Sequence, residues 1–526
     1  MRLSLSIATV LPLAQALIYP QHYPPADSPI TNLDKVFSPA HGTNGGIYSL
    51  EQENDNYGAY NFCNMPHVRK SEYKVPDGYK LEYVEVIHRH HKRTPYASNV
   101  FPKEDIPLSC DGVIDFYYGQ VKSENSSALV GWNFYVDPQN PFAAQYGFNG
   151  SCQFPQLSQG GLEDSFQHGK DLYENYHSNL GFLPESYDSE KVKFFATNNV
   201  ITSQVAGALI SGMFRDLDGN NVEVSVQRAA SDYLEPKYSC SGADQVKKYI
   251  LASDPWEEHL RRSKGLFSEL DAISGVNPDD RGWHVSWDHY FDNLAHRKCH
   301  GLPLPCKIGE PENCISEEQA EQVFRLGDYE YSFQHRLASQ STYYSVARYG
   351  VFLQKLQQHL QEAMAHSSKV IYRHNVAHDG SVAPLLGTLQ IEELRWPGMG
   401  AEVVFELWSR GNDHFIRALY GGQALKTSTE LGVLDMVPVE KFFDYLDSFL
   451  KDNNIRALPS KPASNDILKV EYLDVNLNNS RKLMGNISSL SVETKEVTES
   501  QESTVEAMLP LKSIRNELSW TDKVMD

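Results

Sequence analysis

Cationic side chains are scarce in this chain. Lys plus Arg number 47 against 68 for Asp plus Glu, a formal net charge of −21 over 526 residues. That deficit excludes general affinity for nucleic acid or an anionic lipid surface, while leaving room for a local cationic pocket. Long apolar runs are missing as well. The apolar stretch Leu3 to Leu13 falls short of the ~20 residues a membrane span needs, and no longer run follows it. Cysteine is sparse at seven, and none of the seven forms the tight Cys-x-x-Cys pair of a structural zinc site. No internal repeat is visible. What remains is ordinary for a chain that buries a sizeable core: 41% hydrophobic, 22% charged and 11% aromatic residues. Collagen-like, disordered and multi-span membrane classes are set aside. By length alone the chain holds about three domains, or one enzyme domain with a large insertion.

The N-terminus has the form of a secretory signal. Arg2 supplies a short positive start, the apolar stretch follows, and Ala14-Gln15-Ala16 has the small-x-small form of a cleavage site. Residues 1–16 are therefore expected to be removed, and the protein to be secreted, extracellular or in the cell wall. In such a compartment most of Cys63, Cys110, Cys152, Cys240, Cys299, Cys306 and Cys314 should pair, with one left over. Cys299, Cys306 and Cys314 lie near His296 and His300, but their Pro-rich spacing favours a disulfide-tied loop over zinc. Four sequons mark candidate N-glycans at Asn125, Asn149, Asn478 and Asn486.

Residues 17–79 read as an N-terminal arm. Leu81 to His88, Lys191 to Ala196, Lys369 to His374 and Glu402 to Trp408 read as buried strands. Helices are expected over 161–179, after a cap at Thr197 or Asn198, and over 341–366. The division that follows is an α/β core in two parts, 80–214 and 341–457. An inserted, mainly helical subdomain occupies 215–340, and a flexible tail 458–526. The tail includes a Ser, Thr and Glu rich stretch at 487–506 that cannot repay its ordering entropy.

Two short segments carry chemistry. Arg89-His90-His91-Lys92-Arg93-Thr94-Pro95 directly follows the first strand, at the end where open α/β sheets place ligands. Two guanidinium forks suit phosphate oxygens, and an imidazole between them could attack phosphorus. Alone, the segment is a weak signal and reads first as a solvated basic turn. His378-Asp379 follows the third strand, where a carboxyl group could donate a proton. Alone, that pair is nearly uninformative.

Together the two segments resemble the histidine acid phosphatase family, the branch with acid phosphatases and phytases, in a fungal-type secreted member. That family carries R-H-G-x-R-x-P after its first core strand and a downstream H-D. Leu157 to Gly169 is similar to its L-T-x-x-G-x-x-Q-x-x-x-L-G helix start. Thr197 to Phe214 is similar to a later helix, and Gly400 to Trp408 to a late strand. The resemblance spans about 80–450 and is poor over 215–335. It implies a central, mainly parallel sheet flanked by helices, with the phosphate pocket at its C-terminal edge. It implies a metal-independent acid phosphatase with no cofactor and a small phosphomonoester as substrate. His90 would be the nucleophile, Arg89, Arg93 and His378 the phosphate contacts, and Asp379 the proton donor.

The chain departs from that pattern twice. His91 replaces the motif's glycine, where it is simply accommodated, narrows or re-aims the loop, or gives substrate a hydrogen bond. Phe195 stands where the family has a third phosphate arginine, and Lys193, on the same side of its strand, is a possible substitute. The rival expectation is accordingly a catalytically impaired binding or signalling protein on the same fold.

Overall fold

The computed structural model describes residues 20–38, 59–104, 106–113, 115–116, 131–132, 139, 149–214, 222–236, 238 and 240–450. The signal segment, the 458–526 tail, and Asn125, Asn478 and Asn486 lie outside the described residues. Asn149 lies within them, its backbone paired with Pro107 in a two-stranded ladder.

The central sheet is built from β1 (Lys80–Arg89), β2 (Val192–Ala196), β3 (Val224–Val226), β4 (Tyr372–Ala377), β5 (Glu402–Arg410), β6 (Asp413–Tyr420), β7 (Gln423–Ala424) and β8 (Val437–Pro438). Its order is β7-β6-β5-β1-β4-β2-β3, with β8 also paired to β6. The half made of β1, β4, β2 and β3 is parallel. β5, β6 and β7 close the other side in antiparallel register. β1 is buried almost throughout, polar residues included, because both of its faces are covered. One face, with Val84, Val86, Phe194 and Tyr372, meets Leu172, Tyr176 and Leu209. The other, with Tyr83, Ile87 and Phe405, meets the larger helical core around Leu353, Leu386 and Phe442.

The helices that matter to the site are α1 (Gln159–Tyr173), α2 (Val200–Met213), α3 (Ser241–Leu251), α4 (Asp254–Ser274), α5 (Asp288–Cys299), α6 (Glu317–Ser332), α7 (Ser341–Met364), α8 (Asp379–Thr388) and α9 (Val439–Leu450). Ser158 caps α1 by accepting from the Gly161 amide. Asn199, rather than Thr197 or Asn198, caps α2, because the chain still needs Thr197 to finish the strand crossing. The segment 215–340 is mostly helical, yet it also lends β3 to the core sheet and carries a small ladder between Cys306–Lys307 and Glu310–Cys314. β4 begins and ends three residues later than the apolar pattern suggests, since Asn375 and His374 find partners within the sheet layers. Within 17–79, Phe62, Cys63, Met65 and Val68 are buried, so this part of the arm is docked. No helix among the described residues is long and apolar enough to cross a membrane.

Candidate active site

β1 and β4 are parallel neighbours, with Arg89 opposite Ala377. Both strands stop there, and the His90 amide donates to the Ala377 carbonyl at 3.0 Å. The two segments, far apart in the chain, are thus forced side by side at the C-terminal edge of the sheet. His90, Arg89, Arg93, His378 and Asp379 are all at most 5% exposed.

His90 sits with Nδ1 3.0 Å from the His91 carbonyl. A carbonyl only accepts, so Nδ1 carries the proton and Nε2 the lone pair. Arg93 Nε stands 3.4 Å from that Nε2. Burial, and then the charges of Arg93, Arg89 and the neighbouring His378, hold the imidazole well below its ordinary pKa. The ring is therefore neutral and able to act as a nucleophile.

The surrounding groups are each held twice or more. Arg89 donates through Nη1 to the Pro397 carbonyl at 2.6 Å and pairs through Nη2 with Asp379 Oδ2 at 2.8 Å. Its guanidinium also lies 5.1 Å from the Phe62 ring centre. Arg93 lies 4.4 Å from the Tyr96 ring centre and pairs with Asp292 at 3.3 Å. Asp292 in turn accepts from Asn99 Nδ2 at 2.9 Å. His378 Nε2 meets Thr197 Oγ1 at 2.8 Å, and its ring centre is 5.5 Å from that of His90. Asp379 opens α8, where a carboxylate suits the helix dipole, and Oδ2 also accepts from Trp396 Nε1 at 2.7 Å. The result is one imidazole lone pair, two guanidinium groups, a second imidazole and a carboxyl group gathered at the same edge of the sheet.

Two of these partners carried no legible signal. Asp292 comes from α5 in the inserted region and Trp396 from the loop before β5. Thr197, read from the sequence as a candidate helix cap, directly follows β2 and serves His378 instead. No spacing in the chain links them to the 90–95 loop.

Lys193 does not reach the site. It is level with Arg373 and hence with Glu85, five residues short of His90 along β1. At ~3.3 Å per residue that is about 16 Å, beyond the reach of a lysine side chain. Phe195 is level with Asn375 and Ile87, with its ring 5.7 Å from the Arg373 guanidinium carbon. It is the last residue but one of β2, three residues short of His90 along the sheet.

His91 points away from His90's lone pair. It lies in a buried group with His67, His88, His168 and His374. His91 Nδ1 meets Ser165 Oγ at 3.0 Å, and Nε2 faces His168 Nδ1 at 3.2 Å. Both nitrogens face protein groups and the ring is fully buried, so it offers no hydrogen bond to a substrate. Space for it comes from Gly400, at φ +71°, where a Cβ would stand 2.7 Å from His91 Nε2. Burial pushes the His88 imidazole down to about 3, with His168 adding to the effect.

The cysteine cluster forms disulfides. Cys63 joins Cys299, Cys110 joins Cys152, and Cys306 joins Cys314, leaving Cys240 as a half-buried thiol. His296 and His300 meet the Arg93 carbonyl and Ser158 Oγ, each at 2.8 Å. Both therefore brace the ends of the 90–95 loop and α1.

The sequence profile of the histidine phosphatase superfamily (branch 2) matches residues 80–421, which includes the inserted helical region. The chain belongs to this family, and so to the phosphoric monoester hydrolases. Human 2-phosphoxylose phosphatase 1 is 24% identical over 379 residues, covering 70% of this chain and 76% of that one. Lysophosphatidic acid phosphatase type 6 from Bos taurus is 23% identical over 388 residues, covering 70% and 83%. Among solved structures, the phytase from Citrobacter braakii aligns at 14% identity with a TM-score of 0.45, covering 70% of this chain and 98% of its own.

Proposed function

We propose that this protein is a secreted acid phosphatase that hydrolyses small phosphate monoesters through a phospho-histidine on His90. The observation that carries the reading is the allocation of His90's nitrogens: Nδ1–H is spent on the His91 carbonyl, and Nε2 faces Arg93. Nε2 attacks phosphorus, and the bond from phosphorus to the ester oxygen breaks. Asp379 gives its proton to the departing alcohol. Arg89, Arg93 and His378 hold the phosphoryl oxygens as charge spreads over them. Water then attacks the phospho-histidine, and Asp379 takes back a proton as the N–P bond breaks. Arg89 pairs with Asp379 at 2.8 Å, so a bound phosphate would share that guanidinium with the proton donor. The signal-like N-terminus and three disulfides support an oxidising, extracytoplasmic destination.

The test is phosphate release from an aryl phosphate at about pH 5. A rapid quench for an acid-labile, base-stable phosphoprotein accompanies it. Wild type should show turnover and the trapped intermediate, and His90→Ala neither. Turnover that persists in folded His90→Ala would refute the mechanism.

A further inference from the structure

We infer that His88, His91 and His168 form a buried site for a divalent transition-metal ion, zinc by its donor set, directly behind the 90–95 loop. One ring nitrogen from each lies within 4.8 Å of the others, and all three rings are fully buried. This inference does not rest on the phosphatase reading.

The hydrogen bonds assign the tautomers. His88 Nδ1 is 2.8 Å from the Arg89 carbonyl, which only accepts, so Nδ1 holds the proton. His168 Nε2 is 2.8 Å from a Glu402 carboxylate oxygen and donates to it. Ser165 Oγ donates to the Gly161 carbonyl at 2.7 Å, and so accepts from His91 Nδ1 at 3.0 Å. Each ring spends its proton outward on an oxygen. The inward nitrogens, His88 Nε2, His91 Nε2 and His168 Nδ1, are left with lone pairs. An outward hydrogen bond to a carbonyl or carboxylate is how ligating histidines are oriented.

That arrangement is unfavourable without a cation. His91 Nε2 and His168 Nδ1 face one another at 3.2 Å. His88 Nε2 is buried with no hydrogen-bond partner. A single ion resolves both. Tetrahedral zinc with bonds of 2.0–2.1 Å sets its ligand nitrogens about 3.3 Å apart. The observed 3.2 Å between two of the three is that spacing. Imidazole donors favour zinc and its late transition-metal neighbours over magnesium or calcium. Glu402, fully buried and held by the Val68 amide at 2.6 Å, fixes the outward side of the His168 ring. The ion would join the end of β1, the following loop and α1. Arg89 and His90 lie in sequence between two of its ligands, so its role is to brace the loop.

The test uses the full chain, purified without chelator and then loaded with zinc or cobalt(II). Elemental analysis should find about one ion per chain, and cobalt should give the intense visible bands of a tetrahedral site. His91→Gly and His168→Leu, checked for folding by circular dichroism, should each lose the ion. If neither folds, Glu402→Gln should bind it about 10–100-fold more weakly through loss of the outward hydrogen bond. The inference is overturned if folded wild type takes up neither metal after loading, which leaves a Ser165–His91–His168–Glu402 proton relay instead. Undiminished stoichiometry in the folded variants would overturn it equally.

Discussion

Gly160 and Gly161 are neighbours in the first turn of α1, yet alanine should act on them with opposite sign. A Cβ on Gly161 would stand 1.9 Å from the Lys92 carbonyl oxygen and 2.9 Å from its carbon. Ordinary carbon–oxygen contact begins near 3.3 Å, so the helix and the 90–95 loop must separate by roughly 1.4 Å. Overpacking of this kind costs about 1–3 kcal/mol. The separation also strains the Ser158 amide and hydroxyl bonds to the Lys92 carbonyl, at 3.2 and 3.3 Å. Each is worth about 0.5–1.5 kcal/mol. Against this stands a gain in helix propensity of at most ~1 kcal/mol. The expected net loss for Gly161→Ala is about 2–4 kcal/mol. Lys92 lies between His91 and Arg93, so a shift on the ångström scale should also lower turnover by about 100-fold. A Cβ on Gly160 meets only the Lys92 side chain, at 3.8 Å and beyond. Gly160→Ala should therefore stabilise by up to ~1 kcal/mol with turnover unchanged. Urea unfolding midpoints and phosphate release on the same preparations decide the matter. Equal effects of the two substitutions, or a neutral Gly161→Ala, would refute the reasoning.

Other outcomes follow from the same geometry. Asp379→Asn should cut turnover of an alkyl phosphate by about 10²–10⁴-fold and that of an aryl phosphate with an acidic leaving group far less, as a series of leaving groups will show. Phe195→Arg should not raise turnover, because the new guanidinium would arise beside the like charge of Arg373; steady-state kinetics check this. Replacing Cys63 and Cys299 by serine opens a link spanning 236 residues and should cost about 5 kcal/mol on the chain-entropy scale. Removing Cys306–Cys314, which spans eight, should cost about half that, so thermal melts should rank the two.

The strands around the site were legible because a buried strand is a short run rich in apolar and β-branched residues, and Leu81 to His88 is one despite Glu82 and Glu85. Arg89, His90, Arg93, His378 and Asp379 were legible because their residue types and their places after two strands suit phosphate chemistry. Lys193 was misplaced by the same local reasoning. Alternation along a strand tells which face a side chain takes, but not how far along the sheet it sits. His168 carried a faint mark, standing where the helix-start pattern has leucine, just as His91 stands where the loop pattern has glycine. Neither mark says that the two rings meet.

By itself, the sequence determined the local elements and the two reactive segments, since strand and helix periodicities and loop chemistry are set within a few residues. It also determined the limits that an acidic, span-free chain places on its partners. Tertiary structure decided what depends on register and on which helix faces which strand. The pairing of Arg89 with Ala377 brings His90 to Asp379. The docking of α5 sets Asp292 against Arg93, and the packing of α1 on the loop sets His168 against His91. Such contacts join residues tens to hundreds of positions apart, and only the folded core fixes the distances between them.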